Sequence, residues 1–283
     1  MKSVIADIPK LALGTWLMGG TKDPDPRNDD KRDIEIIQTA IESGVTLIDT
    51  AQNYAAGKCE ELVGEAVKKY PRSAYRILTK QNKEFLSYED VLAGAHASMK
   101  RMGISYIDYF LCHSPNPDFD MQDFFRATNK LYKDKLIRNV GVSNFGPKSL
   151  EIAIKTSELP ILFNQVNFSI DNDDIFSSGT YDFCIKHNIL IQAFRTLTNI
   201  DANEDAKKML QILMIKYKIS KQQLVLAYLN NYKDVIFTIR ASSKTHWEEI
   251  KQAMEIKLEK SDIEKLRETH VNKHGDFGEL LLI

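Results

Sequence analysis

Short apolar runs and longer stretches of helical periodicity take turns along this chain eight times, and few folds accept such an order. The apolar runs fall at residues 11–14, 45–49, 75–80, 106–113, 137–143, 162–168, 189–194 and 235–239. Each is too short for a helix and rich in Val, Ile, Leu or Phe, which is the pattern of a strand buried on both faces. Between them the apolar residues recur at helical spacing. Ile34, Ile37 and Ile41 precede Gly44, and Leu62, Val63, Ala66 and Val67 precede Pro71. Further helices are expected at 88–102, stopped by Gly103, and at 121–133, 147–156, 180–187, 205–217, 221–230, 246–254 and 262–269. Strand starts recur roughly every 25 to 45 residues, as βα units do. Eight of them in 283 residues predict an α/β protein of the (β/α)8 TIM-barrel type.

The competitor is an open doubly wound sheet. That fold announces its nucleotide site with a glycine-rich turn after the first strand, and the stretch from Gly14 to Gly20 lacks that spacing. No linker or composition shift divides the chain, so residues 1–283 are expected to form a single domain, with a short tail from about 270.

Composition narrows the function class. Hydrophobic residues at 43% and charged residues at 27% are ordinary for a globular chain. A net charge of −1 gives no general attraction to nucleic acid or to an anionic membrane, so neither is expected as a partner. No apolar run approaches the roughly 18 residues that suggest a membrane span, and the mixed stretch from Met1 to Lys10 lacks a secretory core. The three cysteines, Cys59, Cys112 and Cys184, are dispersed and odd in number, which points to a reducing compartment and a cytoplasmic protein. No Cys or His cluster has metal-ligand spacing, so no metal is expected.

On the barrel reading, polar residues at the C-terminal ends of strands converge on one rim. Those ends carry Asp49, Lys80, His113, Asn144 after Ser143, and Gln165, with Tyr54 on the loop beside Asp49. A free tyrosine titrates near pH ~10 and is a weak acid. An ammonium beside it stabilises phenolate, and a buried carboxylate keeps that ammonium charged. Asp49, Lys80 and Tyr54 thus make a tuned proton donor, and a neutral His113 makes a hydrogen-bond donor for a carbonyl. The bland alternative for these four residues is a buried ion-pair network. For Ser143, Asn144 and Gln165 it is loop capping, and for Arg195 and Arg240 it is plain solvation. Cys112 is expected in the core, because strand neighbours face opposite ways. His96 and His187, on helices, are expected to be structural.

These residues are set in stretches that together resemble the aldo-keto reductases from about Leu11 to about Met254. The stretches are Leu13-Gly14-Thr15-Trp16 with Met18-Gly19-Gly20, Leu47-Ile48-Asp49-Thr50-Ala51 with Tyr54, and Glu60-Glu61-Leu62-Val63-Gly64-Glu65-Ala66. Thr79-Lys80, Tyr106-Ile107-Asp108-Tyr109 with His113, and Gly141-Val142-Ser143-Asn144-Phe145 follow in order. The resemblance implies extended binding of NADP(H) without a Rossmann motif, and an aldehyde, ketone or alcohol as substrate. Asp49, Tyr54, Lys80 and His113 are the implied catalytic residues. It also implies that Ser143, Asn144 and Gln165 hold the nicotinamide carboxamide, and that Phe194 stacks on the ring where the family usually has tyrosine. Gly14, Thr15, Trp16, Leu197 and Ser242 are expected against the cofactor as well. Trp16 and Phe119 are candidates for the substrate mouth, with a role in the core as the alternative.

Departures from the family pattern bear on the cofactor. Ala193-Phe194-Arg195-Thr196-Leu197 replaces a common Ala-Tyr-Ser-Pro-Leu, and Arg195 is open to a role on the pyrophosphate or on an anionic substrate. Arg240 falls at a lysine position that meets the 2′-phosphate, and Glu249 matches an acid that meets adenosine. His246 stands where an arginine often lies, and Ile250 where an asparagine often reaches adenine. The implied cofactor is NADP(H), with NAD(H) also accepted. The loops at 17–30, 114–120 and 273–283 would form the substrate mouth, and the short tail suggests an open pocket for small carbonyls. The alternative from another class is a cofactor-binding regulatory or interaction subunit on the same fold.

Overall fold

The computed structural model describes residues 8–198, 200 and 204–270. Its strands are β1 (Leu11–Gly14), β2 (Leu47–Asp49), β3 (Arg76–Gln81), β4 (Ile107–Cys112), β5 (Ile137–Ser143), β6 (Ile161–Asn167), β7 (Leu190–Phe194) and β8 (Val235–Ile239). All pair in parallel with their sequence neighbours, and β8 returns to β1 to close the barrel. This is the (β/α)8 fold expected from the alternation.

The connecting helices are α1 (Asp30–Glu42), α2 (Lys58–Val67), α3 (Tyr88–Met102), α4 (Met121–Lys133), α5 (Pro147–Thr156), α6 (Asp174–Ser177) and α7 (Thr180–Lys186). After β7 come α8 (Glu204–Tyr217) and α9 (Lys221–Leu229), and after β8 come α10 (Lys244–Glu255) and α11 (Lys260–His270). Local chemistry explains their ends. Ser87 caps α3, which stops at Gly103 with φ 63°. Ser220 and Gln223 form a capping box on α9. In α4, Asp120 caps the start and Lys130 and Lys133 sit in the last turn, where cations suit the helix dipole. Its buried face, Phe124, Phe125, Ala127, Thr128 and Leu131, packs on the barrel. Burying each large apolar side chain contributes about 1.5–3 kcal/mol.

Most element ends shift by one or two residues from the sequence expectation, and three differences have a local cause or a larger size. The strand expected from Val45 begins at Leu47, because the Val45 N–H closes the end of α1 on the Ala40 carbonyl, 2.9 Å away. The helix expected on Leu62, Val63, Ala66 and Val67 begins at Lys58 and ends at Val67, four residues before Pro71. The one-turn helix α6 was not expected; four residues hold too little periodicity to be read, and only Ile175 is buried. The segments 1–7 and 271–283, including the expected apolar tail and the third mouth loop, lie outside the described residues.

Two apolar layers surround the strands. Outward residues such as Leu13, Ile48, Ile77, Phe110 and Val142 pack under the helices. Inward residues, including Ala12, Leu47, Leu78, Leu111, Phe163, Leu190 and Ile236, fill the barrel itself. Side chains alternate along a strand, so the residue two positions beyond each inward one also points to the axis. Those residues are Gly14, Asp49, Lys80, His113, Gln165, Gln192 and Thr238. A polar ring therefore caps an apolar plug, and it stands at the C-terminal face where barrel loops gather.

Candidate active site

Asp49 is the hub of that ring. It is 3% exposed, and both carboxylate oxygens are occupied. Oδ1 receives the Lys80 ammonium, which also donates to the Thr50 carbonyl at 2.8 Å. Oδ2 accepts from Gln165 Nε2 at 2.6 Å, Gln192 Nε2 at 3.2 Å and Thr238 Oγ1 at 3.1 Å. Thr238 can give that proton because its own lone pair takes a second hydrogen of Gln192, at 2.8 Å. A buried carboxylate needs such a shell, since each unmet acceptor would cost the full desolvation of an ion.

Lys80 is fully buried, and its Nζ lies 3.4 Å from the Tyr54 hydroxyl and 5.1 Å from the ring centroid. Burial pulls the Lys80 ammonium down, but the charge and hydrogen bond of Asp49 and the neighbouring phenol outweigh it, and its pKa is raised. Tyr54 responds the other way from the sequence expectation. Burial raises its pKa, Lys80 lowers it, Asp49 raises it, and the net direction is up. The lysine exerts the expected pull, but desolvation is the larger effect, so the phenol stays protonated at neutral pH.

His113 follows β4 and completes the wall. Its ring lies edge-on to Tyr54 at 5.8 Å, and Trp16 also meets Tyr54 edge-on, at 4.8 Å. Burial, helped by the cations Lys80 and Lys83, pushes the imidazole down to about 3. The ring is therefore neutral, and its buried Nδ1 has no partner among the described residues. Cys112, beside it, is buried with its thiol pushed up to about 12 by burial, as a core residue rather than a nucleophile. Of the two helical histidines expected to be structural, His187 stacks on Phe183 with ring centroids 4.4 Å apart.

The other expected site residues divide between two cavities that meet. The first, about 390 Å³, is lined by Gly14, Thr15, Trp16, Asp49, Tyr54, His113, Ser143, Asn144, Gln165, Phe194 and Arg195. The second, about 720 Å³, is lined by Leu197, Ser242, His246 and Glu249, together with the first turns of α1 and α9. Ile239 and Arg240 line both, so the two form one extended groove. Phe119 lies outside both cavities, packed against the core.

Several of these residues are already engaged. Ser143 donates its hydroxyl to the Gln165 carbonyl at 2.9 Å. Asn144, held at φ 61°, gives its amide to the His113 carbonyl at 3.0 Å and to the Ser114 hydroxyl at 3.1 Å. Thr15 donates to the Asp49 carbonyl at 2.9 Å and receives the Cys59 thiol at 3.1 Å. Arg195 is exposed at φ 57°. At Gly14 an added Cβ would lie 2.8 Å from Thr238 Cγ2, so β1 contributes space to the ring where every neighbour contributes a side chain.

Two members of the ring escaped the sequence reading. Gln192 and Thr238 sit inside apolar strands, two positions before Phe194 and Arg240, and they hold Asp49. The signal was present: each stands two residues beyond an inward apolar residue, as Asp49 stands beyond Leu47. Among the described residues no group of three or more His, Cys, Asp or Glu is placed to hold a metal, and no helix is long and apolar enough to cross a membrane.

The groove suits a long, flat, two-ended ligand. Its narrow end has amide and hydroxyl groups around an aromatic face, and its wide end has cations and helix starts. Comparison with known proteins agrees with that geometry. The sequence model described as Aldo/keto reductase family matches residues 10–270. The Bacillus subtilis protein named Aldo-keto reductase YhdN is 35% identical over 153 residues, a match covering 50% of this chain and 45% of that one. Glyoxal reductase from the same species is 32% identical across 75% of this chain and 74% of its own. Among solved structures, the thermostable aldo-keto reductase Tm1743 in complex with the inhibitor epalrestat superposes with a TM-score of 0.88 at 34% identity, covering 92% of this chain and 95% of that one.

Proposed function

The chain belongs to the aldo/keto reductase family, and on that premise we propose that Tyr54 is the general acid of an NAD(P)H-dependent reduction of aldehydes or ketones to alcohols. The activity is that of an oxidoreductase acting reversibly on CH–OH groups. The observation that carries the assignment is the Tyr54 hydroxyl 3.4 Å from a wholly buried Lys80, at the floor of the narrow cavity.

A bound nicotinamide supplies the hydride. The chain supplies the rest. Tyr54 gives its phenolic proton to the carbonyl oxygen as the carbon is reduced, which leaves an alcohol and a phenolate. Lys80 stabilises that phenolate, and Asp49 fixes Lys80 in place. Neutral His113 hydrogen-bonds the carbonyl oxygen and orients it toward Tyr54. Trp16 lines the same cavity against Tyr54 and helps exclude water from the reacting centre.

The cofactor groove reads in the same order. Gly14, Thr15 and Trp16 line its narrow end with Ser143, Asn144 and Gln165, the residues for the carboxamide, and Phe194 presents a half-buried aromatic face for the ring. Arg195, exposed and lining the narrow cavity, is open to the pyrophosphate or to an anionic substrate. Leu197, Arg240, Ser242, His246 and Glu249 form the adenosine end. NADP(H) is the favoured cofactor, with NAD(H) accepted. The residues present fit such a group: Asn144 and Gln165 line the narrow cavity and spend their amide N–H groups on the protein, which leaves their side-chain oxygens to accept from a carboxamide.

The substrate is a small carbonyl or alcohol, in keeping with a cavity of about 390 Å³. The chain works as one domain in the cytoplasm, and its three buried, unpaired cysteines suit a reducing compartment. The intact set of Asp49, Lys80, Tyr54 and His113 favours catalysis over a purely regulatory subunit. The test is Tyr54→Phe, assayed by NADPH oxidation across an aldehyde panel and by NADPH fluorescence titration. Turnover should fall about 100- to 10,000-fold with cofactor affinity retained. Near-normal rates in this variant would remove Tyr54 from the assigned role.

A further inference from the structure

The wide end of the groove holds two arginines in different electrostatic states. Arg240 is committed. Its guanidinium donates to Asp33 Oδ1 at 3.2 Å and to the Trp16 carbonyl at 3.3 Å. Asp33 is 5% exposed, and its second oxygen accepts the Gly19 N–H at 3.1 Å and the Asn28 amide at 2.8 Å. The pair joins three segments: the first turn of α1, the loop after β1, and the end of β8. Arg240 neutralises a fixed, buried anion there, so its charge is already spoken for. A phosphate brought to it would also meet the Asp33 carboxylate.

Arg32 is the opposite case. It stands one residue before Asp33 and lines the same 720 Å³ cleft as Ser242 and His246. Its backbone N–H closes on Asp29 Oδ1 at 3.0 Å, but among the described residues its guanidinium has no hydrogen bond or ion pair. An exposed guanidinium at a cleft that starts three helices, α1, α9 and α10, offers an anion both an uncompensated charge and a planar fork of donors.

We propose that Arg32 is the residue that distinguishes NADPH from NADH by binding the 2′-phosphate, and that Arg240 serves as a clasp for the groove. This rests on the reading that the groove takes a nicotinamide dinucleotide. The clasp ties the loop after β1 to β8 at the junction of the two cavities, a junction that either dinucleotide must cross. Arg240 therefore supports both cofactors alike, and Arg32 supports only the phosphorylated one. The first turn of α1 supplies both residues of this arrangement, Arg32 to the cleft and Asp33 to the clasp.

Fluorescence titration of the full chain with NADPH, NADH and adenosine 2′,5′-bisphosphate tests this on the wild type, Arg32→Gln, Arg32→Lys and Arg240→Gln. Wild type should prefer NADPH by about tenfold or more, the scale of one charge-assisted phosphate contact. Arg32→Gln should erase that preference and weaken the bisphosphate while NADH affinity holds within about twofold. Arg32→Lys should keep part of it. Arg240→Gln should weaken NADPH and NADH by the same factor. The proposal is overturned if Arg32→Gln leaves the NADPH/NADH ratio intact, or if Arg240→Gln alone collapses it. A wild type that binds both dinucleotides equally overturns this assignment and leaves the dinucleotide groove standing; a wild type that binds neither overturns both.

Discussion

The Tyr54 hydroxyl stands 3.4 Å from Lys80 Nζ, close enough for the ammonium to hold a phenolate but not to create one at neutral pH. Burial sets the resting state of the phenol, raised above its ordinary value, and Lys80 opposes that rise without overcoming it. The arrangement gives the two directions of the reaction different pH dependences.

Reduction draws on the phenol, which is present throughout the ordinary assay range. Alcohol oxidation draws on the phenolate, whose fraction climbs about tenfold for each pH unit below the phenol's pKa. Because burial holds that pKa above the ordinary tyrosine value, the oxidation rate should still be rising at about pH 9, while the Tyr54-dependent part of reduction stays flat from about pH 6 to 9. Profiles of kcat/KM in both directions check this. An oxidation profile that levels off below about pH 8 would mean that Lys80 wins over burial when the cofactor is bound.

The Asp49–Lys80 pair is also structural. Both residues are almost wholly enclosed, so Lys80→Met leaves a carboxylate without its cation. Such a loss costs about 3–5 kcal/mol, whereas replacing both partners together is close to neutral. Urea denaturation should show Lys80→Met strongly destabilised and Asp49→Asn/Lys80→Met restored by most of that amount, with neither active. Equal stabilities for the single and double variants would contradict a buried, compensated pair.

How far the sequence could be read depended on what each residue's position requires. The barrel was legible because eight buried strands each need an apolar run and each run ends at a turn. Asp49, Lys80 and His113 were legible because each stands at the C-terminal end of such a run, on the rim where the loops of a parallel barrel gather. Gln192 and Thr238 were hidden by their surroundings: each sits inside an apolar run, where a single polar residue passes for a tolerated exception. Arg240 was legible as a groove residue, but its partner Asp33 was not. That carboxylate belongs to the first turn of a helix, where acidic residues are common, and only the closure of β8 on β1 brings the two together. The raised pKa of Tyr54 was out of reach for the same reason. The opposing effects of burial and charge are fixed by distances that no spacing in the chain encodes.

His113 carries a second pH signature, in stability. Its folded-state pKa, about 3, lies below the ordinary value of 6.5. Between those values the unfolded chain binds more protons than the folded one, so this residue's contribution to stability is whole above about 6.5 and declines as pH falls toward 3. The slope from this one group approaches, at most, about 1.4 kcal/mol per pH unit. Denaturation midpoints between pH 6.5 and 4 should therefore fall less steeply for His113→Asn than for the wild type. Parallel curves would show that His113 is not held neutral by its surroundings.

The turn that follows Tyr54 is strained, and this can be measured apart from catalysis. Ala55 (φ 47°, ψ 44°) and Ala56 (φ 50°, ψ 34°) both adopt the left-handed conformation, one after the other. For a residue with a Cβ this costs roughly 1–2 kcal/mol, and glycine escapes it. Ala55 is buried and tied by its N–H to the Thr21 carbonyl at 2.8 Å, but Ala56 is exposed and can be changed without disturbing packing. Ala56→Gly should raise stability by about 0.5–1 kcal/mol, the relieved strain less the extra entropy of an unfolded glycine. The same exchange at Ala93, exposed within α3, has no strain to relieve and should cost about 1 kcal/mol. Thermal melts of the two variants should therefore move in opposite directions, by about 2 °C each for a chain of this size. If both melt lower, the turn is relaxed, and the position of Tyr54 owes nothing to it.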